Sequence, residues 1–580
     1  MVCAHPQDDW KGKSLTGIGF SPPGSADAGQ DVERSHYVSV FLMSEAIRMK
    51  ARFVLEGLGA SLLLFSVFPV LVSDYPVYIH PLPVTNLIGG LLVGMVIVAA
   101  LIAAALYAVE RLNPTARRFL LAWFAGLMLW RFLDSVVTFV NAWASQLSHK
   151  IYFWDPIRNP VCIAILAVSL LCAWFVPRFA DRTIGYVRLL VAASAFAIMP
   201  ILPHLVRDMS LRPTPQGTIA VNQDPSLPGA AGNRMIWIMF DELSYDQAFD
   251  HPQPGIVLPA FDRLRDQSFS FSNVKPSGYY TDLIIPTILL GQQVEKLRRT
   301  SEDRFSYKTK DQKQFRQFDP RDTIFNTARA EGWTTGLVGW LVPYCRFMGP
   351  VLDSCFWSRN DGSLLEPFGA SEDKSMLANA AAIPVWTWAN ITGDTREYNA
   401  EHLANYQENM RHARLLIDDG RIRFLYIHLP VPHPPGIYDR RNKRTRTGGS
   451  YLDNLMLADQ AAATLLSEID ATPAAGRTTL VVSSDHSFRI ALWKATAGGW
   501  TDEDETATGG RFDDRPVLMV RFPGQTSGPG ISASFDEILE HDILDAMLRG
   551  QMKTAEDFKS FLSAKGIDVG AAAQGDSQHH

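Results

Sequence analysis

Five apolar runs stand in series between residues 53 and 206, and they limit what this chain can fold into more than any other feature. They extend from Phe53 to Ser73, Asn86 to Val109, Phe119 to Trp143, Pro160 to Pro177 and Gly185 to Val206. Most approach the ~20 residues an α-helix needs to cross a bilayer, and the fourth is at the short end of that range. One such run suits a buried helix of a soluble protein. Five in series predict a multi-span α-helical membrane domain of five helices, residues 51–206. The first fifty residues are polar, carry no signal-peptide pattern and read as a disordered cytoplasmic tail. Arg48, Lys50 and Arg52 precede the first run, Arg111, Arg117 and Arg118 follow the second, and Arg178 and Arg182 follow the fourth. The opposite loops hold only Lys150 and Arg158. The N-terminus is therefore expected in the cytoplasm, and an odd number of crossings puts everything after Val206 on the far side. Tyr152, Phe153 and Trp154 read as an interfacial anchor. Arg131 and Asp134 lie three apart in the third run and share a helix face, either as a structural pair or as a functional one.

Residues 207–234, with Pro213, Pro215, Pro225 and Pro228, read as a linker. Residues 235–565 have the composition of a soluble domain, and 566–580 read as a second disordered tail. The net charge of -6 in 580 residues gives no sign of a nucleic-acid partner. Met235 to Phe240 is an unbroken apolar run of the kind that suits a buried parallel strand. Thr335 to Val338, Phe424 to His428, Leu480 to Ser483 and Val517 to Val520 read likewise, with helical stretches at Asp322–Glu331, Tyr398–Asp419 and Leu452–Ile469 between them. The alternation predicts an α/β sheet covered on both faces. Active sites of such sheets lie beyond the carboxyl ends of the strands. Asp241, His428, His433, Asp485 and His486 all close or follow a strand there.

Between Gly278 and Gly291 a turn runs into a mostly apolar helix, with Thr281 at the expected N-cap. A hydroxyl at that end sits in a field that favours negative charge, a useful place for a nucleophile whose product is a phosphate ester. An ordinary capping role is the alternative, and Thr287 is the other hydroxyl. Asp241, Asp485 and His486 are ligand types for one divalent ion, zinc or manganese, with Glu242 competing for the place of Asp241. Such an ion would hold Thr281 as an alkoxide-like nucleophile.

The order strand-Asp/Glu, helix-borne nucleophile, His-x-Pro segment and Ser-Asp-His resembles the sulfatase-like branch of the alkaline phosphatase superfamily over about residues 234–525. Pro259-Ala-Phe-Asp-Arg-Leu264 with Phe269, Gly332-Trp-Thr-Thr and Arg515-Pro-Val-Leu-Met-Val-Arg-Phe-Pro-Gly524 are further similar segments. Thr281 stands ten residues before Gly291, the sulfatase spacing, but the Cys-x-Pro-x-Arg signature is absent. No formylglycine can form at a Thr, which weighs against sulfate-ester hydrolysis. Membrane spans ahead of such a domain resemble the phosphoethanolamine transferases and the lipoteichoic-acid-synthase-type phosphoglycerol transferases. That resemblance implies a metal held by Asp241, Thr281, Asp485 and His486, with Thr281 as nucleophile. His428-Leu-Pro-Val-Pro-His433-Pro-Pro-Gly-Ile-Tyr438 resembles the substrate segment of the former. There His433 would contact phosphate or act as general acid, or else be a plain loop histidine. Phe356-Trp357-Ser-Arg359 resembles the headgroup loop of the latter, and implies substrate contacts from Trp357 and Arg359. A further His expected about a dozen residues after Asp485-His486 is missing, as is the His before the Trp-x-Arg loop.

The implied activity is transfer of a phospholipid headgroup, phosphoglycerol or phosphoethanolamine, to an envelope glycan or lipid, at the inner membrane of a bacterium with the catalytic domain periplasmic or extracellular. Hydrolysis by the same site and lipid-binding regulation without catalysis are the alternatives. Of the five cysteines, Cys162 and Cys172 fall in the fourth run and Cys3 in the tail. This leaves Cys345 and Cys355 as partners for a disulfide in an oxidising compartment.

Overall fold

The structure is a computed structural model. It describes residues 51–64, 85–145, 155–199, 203, 232–301, 304–358, 374–382, 385, 396–495, 499–509 and 511–569. By internal packing the chain divides into Met1–Val54 and Leu55–His580. Of the first unit, only the residues that begin the first helix are described.

That helix, α1, covers residues 51–64. It is followed by α2 (Thr85–Val109), α3 (Pro114–Ser145), α4 (Asp155–Phe175) and α5 (Pro177–Ser194). Among the described residues, two stretches are long and apolar enough to cross a membrane, Leu92–Val109 and Pro114–Val137. The expected count of five is not reached, for identifiable reasons. The first and fifth runs extend into residues outside the described ones. The apolar part of α4, Asn159–Phe175, falls just short of a full crossing. Helix α5 begins at Pro177, ahead of the expected Gly185, and takes in Arg178, Asp181 and Arg182. Tyr152, Phe153 and Trp154 also lie outside the described residues.

Small residues let these helices approach closely. A Cβ on Gly59 would lie 1.7 Å from the carbonyl oxygen of Val191, so α1 and α5 touch backbone to backbone there. Buried charge ties the same helices. Arg188 of α5 pairs with Glu56 of α1 at 2.7 Å and with Glu110 at the end of α2. Arg131 pairs with Asp134 at 2.6 Å, and its other guanidinium nitrogens donate to the carbonyls of Leu63 and Leu64 at 3.3 and 3.0 Å. Arg131 thus ties α3 to the backbone of α1.

The rest of the chain is built on an eight-stranded sheet. Its strands are β1 (Arg234–Phe240), β2 (Phe269–Phe271), β3 (Thr335–Trp340), β4 (Ser354–Ser358), β5 (Phe424–Leu429), β6 (Thr478–Ser484), β7 (Leu518–Arg521) and β8 (Gly530–Ile531). In space they run β8-β2-β7-β6-β1-β5-β3-β4. Strands β6, β1, β5, β3 and β4 are parallel, whereas β7 runs antiparallel to both β6 and β2. Every residue of β1 is buried because the sheet is covered twice. Alternation along the strand divides its side chains between two cores. Met235, Trp237 and Met239 face one, and Ile236, Ile238 and Phe240 face the other. The helices that cover the sheet are α6 (Pro259–Gln267), α7 (Thr281–Leu290), α8 (Ile324–Ala330), α9 (Arg396–Asp418), α10 (Tyr451–Ala471), α11 (Ile490–Ala495) and α12 (Leu539–Leu548). Helices α7, α8 and α12 pack on the Trp237 face, and α6, α9 and α10 on the Phe240 face.

Cys345 and Cys355 are joined by a disulfide, with Cα atoms 5.8 Å apart. It clips the turn at Tyr344–Phe347 to β4. Trp357, two residues on, lies in the core with 2% of its surface exposed, and the guanidinium of Arg346 sits 5.2 Å from its ring centre. Trp357 is therefore a packing residue and not the substrate contact expected of it, because it points from β4 into the Trp237-side core. Arg359 lies outside the described residues. Replacing Cys345 and Cys355 together by Ser should lower stability by about 2–3 kcal/mol, the loop-closure value for so short a ring. The midpoint of thermal unfolding in detergent measures this; an unchanged midpoint would show that the bridge constrains nothing.

Candidate active site

The parallel register of β5, β1 and β6 brings their carboxyl ends together, and the site is made there. Asp241 follows β1. Its backbone N–H donates to Leu429 at the end of β5, and its carbonyl accepts from the N–H of His433, at 3.1 and 3.0 Å. Asp485 follows β6. One of its oxygens, Oδ1, accepts from the backbone N–H groups of Glu242 and His486 at 3.1 and 2.9 Å. The other, Oδ2, accepts from the hydroxyl of Thr281 at 2.6 Å. Thr281 Oγ1 also lies 3.2 Å from His486 Nε2. His486 Nδ1 is 3.0 Å from the carbonyl of Ser487, which assigns the ring proton to Nδ1 and turns the lone pair of Nε2 to the site.

Thr281 is not the N-cap that the sequence suggests. Tyr280, in extended conformation, holds that place, and Thr281 is the first helical residue. The difference is one residue, but it changes what the hydroxyl does. Instead of capping its own helix it reaches across to β6. Thr287 is used within the fold, where its hydroxyl donates to Leu283 and accepts from the N–H of Val294. Gly291 ends α7 at φ 62°, and a Cβ there would strike the ring of His541 at 2.4 Å, so close packing and backbone sign both call for glycine.

The electrostatics of this cluster are unbalanced. Asp241 is fully buried and neither carboxylate oxygen has a hydrogen-bond partner. Burial, and then the nearby Asp485, push its carboxyl well above the usual range. His486 Nε2 lies 3.9 Å from Asp241 Oδ1 and 3.2 Å from Asp485 Oδ2. His428 Nε2 lies 3.6 Å from Asp241 Oδ2 and makes no hydrogen bond, while its Nδ1 meets the hydroxyl of Tyr344 at 2.9 Å. Burial lowers His428 to about 4 and takes His486 well below its usual value, with Arg489 acting in the same direction on His486. Two carboxyl groups and two imidazoles thus face one small space, with both Asp241 oxygens and His428 Nε2 lacking a partner. Orphaned buried acceptors of this kind fit a divalent cation. The residues that would hold it are Asp241, His428 and Asp485, whose ligand atoms lie within 4.8 Å of one another, with His486 Nε2 and the Thr281 hydroxyl beside them. His428, expected in a substrate pocket, belongs to this ligand cluster because it is the last-but-one residue of β5 and points at Asp241. His433 lies further out, its ring edge-on between Trp340 and Trp493 at 4.9 and 4.8 Å and its Nδ1 buried without a partner.

Glu242 also offers a ligand atom within 4.8 Å of those of Asp241 and His433, but it is already engaged. Its backbone is left-handed, φ 65°, and its carboxylate accepts from Arg489 Nε and from Trp493 Nε1 at 2.8–2.9 Å. Burial raises that carboxyl to about 8, against the pull of Arg489. Asp282, behind Thr281, is raised to about 7 by burial, again opposed by Arg489. Sequence reasoning passed over Arg489 and Trp493. The available signal was their spacing, four residues apart at the start of a short helix directly after Asp485-His486.

A protein-family model described as Sulfatase matches residues 233–533. No curated protein matches the chain. Among solved structures, that of Ps i-CgsB in complex with k-i-k-neocarrahexaose is 15% identical, covering 58% of this chain and 78% of that one with a TM-score of 0.37. The phosphonate monoester hydrolase of Agrobacterium radiobacter is 12% identical, with coverages of 55% and 74% and a TM-score of 0.33. The lipoteichoic acid synthase LtaP from Listeria monocytogenes is 10% identical, with coverages of 57% and 75% and a TM-score of 0.34.

The ligand assignment makes a discriminating prediction. Asp241→Asn and Asp485→Asn should each weaken divalent-metal binding by more than the about 10–100-fold that loss of an outer-shell partner costs. Glu242→Gln should leave metal content unchanged. Metal analysis of the purified proteins after dialysis decides; equal occupancy in all three variants would move the site elsewhere.

Proposed function

The chain belongs to the sulfatase family, in the sulfatase-like branch of the alkaline phosphatase superfamily, and from that premise we propose that it is a membrane-anchored, metal-dependent phosphotransferase working through a phosphothreonine. The observation that carries this is the Thr281 hydroxyl donating to Asp485 Oδ2 at 2.6 Å at the start of a helix. A Thr hydroxyl is a weak nucleophile until its proton is drawn away, and a buried carboxylate at hydrogen-bond distance can accept that proton. With no Cys or Ser at position 281 the formylglycine route to sulfate esters is closed. A divalent cation held by Asp241, His428 and Asp485, with His486 beside them, would supply Lewis acidity that stabilises the Thr281 oxygen as its proton leaves.

The chain's own groups then account for two displacements. Thr281 Oγ attacks phosphorus, its proton passes to Asp485, and the bond from phosphorus to the leaving alcohol breaks as that alkoxide takes up a proton. In the second step an acceptor hydroxyl gives up its proton to solvent as it attacks the phosphothreonine, the bond from phosphorus to Thr281 Oγ breaks, and Thr281 takes back the proton held on Asp485. The positive end of α7 favours the charge that collects on the transferred group. His433, held by Trp340 and Trp493 close to Asp241, is placed to serve the leaving or attacking oxygen.

The donor we propose is a phospholipid headgroup, phosphoglycerol or phosphoethanolamine, and the acceptor an envelope glycan or lipid. Apolar helices joined to the catalytic chain support this, since they would keep the site at the surface of the donor bilayer. The topology we propose is five crossings, a cytoplasmic N-terminus and a catalytic domain on the far side of a bacterial inner membrane.

Thr281→Ala should lower turnover by at least about 10³-fold with the fold intact, whereas Thr281→Ser keeps part of it. Mass spectrometry of wild type mixed with donor phospholipid should find the headgroup phosphate on the peptide that carries Thr281. A phosphorylated peptide from elsewhere, or full activity in the alanine variant, would exclude Thr281 as nucleophile. Reporter fusions after Lys50 and after Gly232 should report opposite sides of the membrane; the same side for both would rule out an odd number of crossings.

A further inference from the structure

Arg489 has no part in the steps above, yet it is the cation around which the outer half of the site is arranged. We propose that Arg489 is the clamp for the negatively charged non-bridging oxygens of the substrate ester, and that Glu242 is the positioning residue that aims it. The inference rests on the reading that Thr281 attacks an anionic tetrahedral ester.

Arg489 is 9% exposed, and its Nε–H is spent on Glu242. Its two terminal NH2 groups make no hydrogen bond to any described residue. A nearly buried guanidinium with free donors is costly unless those donors meet a ligand or water. Its carbon lies 5.9 Å from the ring centre of Tyr279, two residues before Thr281, so the group stands on the nucleophile's side of the site. Burial would lower its pKa, but Glu242, Asp241 and Asp485 together hold it above the ordinary arginine value. Asp241, Glu242, Asp282 and Asp485 are all buried around it. An ester anion entering beside these acidic residues finds its countercharge in this cation and in any bound metal. The two would grip different oxygens of one tetrahedral group, and the planar fork of arginine suits that contact.

Glu242 is built to hold this group and nothing else. Non-glycine residues rarely adopt φ 65°, and the strain is of the kind found where a side chain must be aimed. From the left-handed turn the carboxylate reaches Arg489 Nε and Trp493 Nε1. Trp493 in turn presses on His433. One carboxylate thus sets the position of the cation and of the aromatic wall beside the His433 ring.

The test is titration of the full-length, metal-loaded protein in detergent with inorganic phosphate, followed by calorimetry. Arg489→Ala should weaken phosphate binding about 10–100-fold, the effect of losing charge-assisted hydrogen bonds, and Arg489→Lys should restore part of it. Metal content should stay at the wild-type level in both. Glu242→Gln should raise KM for a chromogenic phosphodiester more than it lowers kcat, since the clamp stays but is no longer aimed. Phosphate affinity unchanged in Arg489→Ala overturns the proposal. So does loss of metal from that variant, which would make Arg489 a support for the ligand set. If wild type forms no phosphothreonine at Thr281 while Arg489→Ala still loses phosphate, the phosphotransfer reading fails and the clamp stands. If phosphothreonine forms normally and Arg489→Ala binds phosphate as wild type does, the clamp fails and the phosphotransfer reading stands.

Discussion

Two carboxylates that water does not reach, Asp241 and Asp485, stand at the ends of adjacent parallel strands, and the rest of the soluble domain is arranged around that arrangement. Left alone, such a pair is expensive to bury. Part of the charge on Asp485 is met by two backbone N–H groups and the Thr281 hydroxyl. Asp241 has no such relief. Burial lowers the basicity of His428 and His486, so they do not bring it a countercharge. A cluster of this make-up could hold a divalent cation.

The same logic of opposed charge appears a second time, one residue away. Glu242 is buried as deeply as Asp241, but it carries its own countercharge in Arg489. Neighbouring acidic residues in the sequence are therefore assigned to different tasks by one backbone turn. The first faces His428 and Asp485, and the second, in left-handed conformation, engages Arg489 and Trp493. Among the apolar helices charge is handled by closure. Arg188 pairs with the carboxylates of Glu56 and Glu110, and Arg131 with Asp134 and the carbonyls of Leu63 and Leu64, so both act as ties between α1 and its neighbours.

Much of this was legible before any coordinates. The strand at Met235–Phe240 is readable because a doubly covered parallel strand needs apolar side chains on both faces, and periodicity of any other kind is absent. Asp241, Asp485 and His486 are readable because they end such strands. Thr281 could be picked out by its spacing to Gly291, although its place in the helix was misjudged by one residue. The role of His428 was not legible, since a histidine inside a strand looks the same whether it points to a pocket or to a carboxylate. Trp357 was misread for a similar reason. Its neighbours in the chain suggest a loop, whereas β4 places it in the core.

The sequence by itself determined the classes of thing present: long apolar helices ahead of an α/β domain, carboxyl ends rich in ligand types, a hydroxyl at a helix start, and a pair of cysteines in one compartment. These follow from local composition and period, which act over a few residues at a time. Only the tertiary structure decided which of those residues meet. The register of β6 on β1 and of β5 on β1 sets Asp241 opposite Asp485 and His428, across separations of about two hundred residues that no local pattern can encode. The partnership of Glu242 with Arg489 was decided in the same way. It depends on a positive φ and on the direction of a short helix after β6, and neither has a counterpart in hydrophobic pattern or charge.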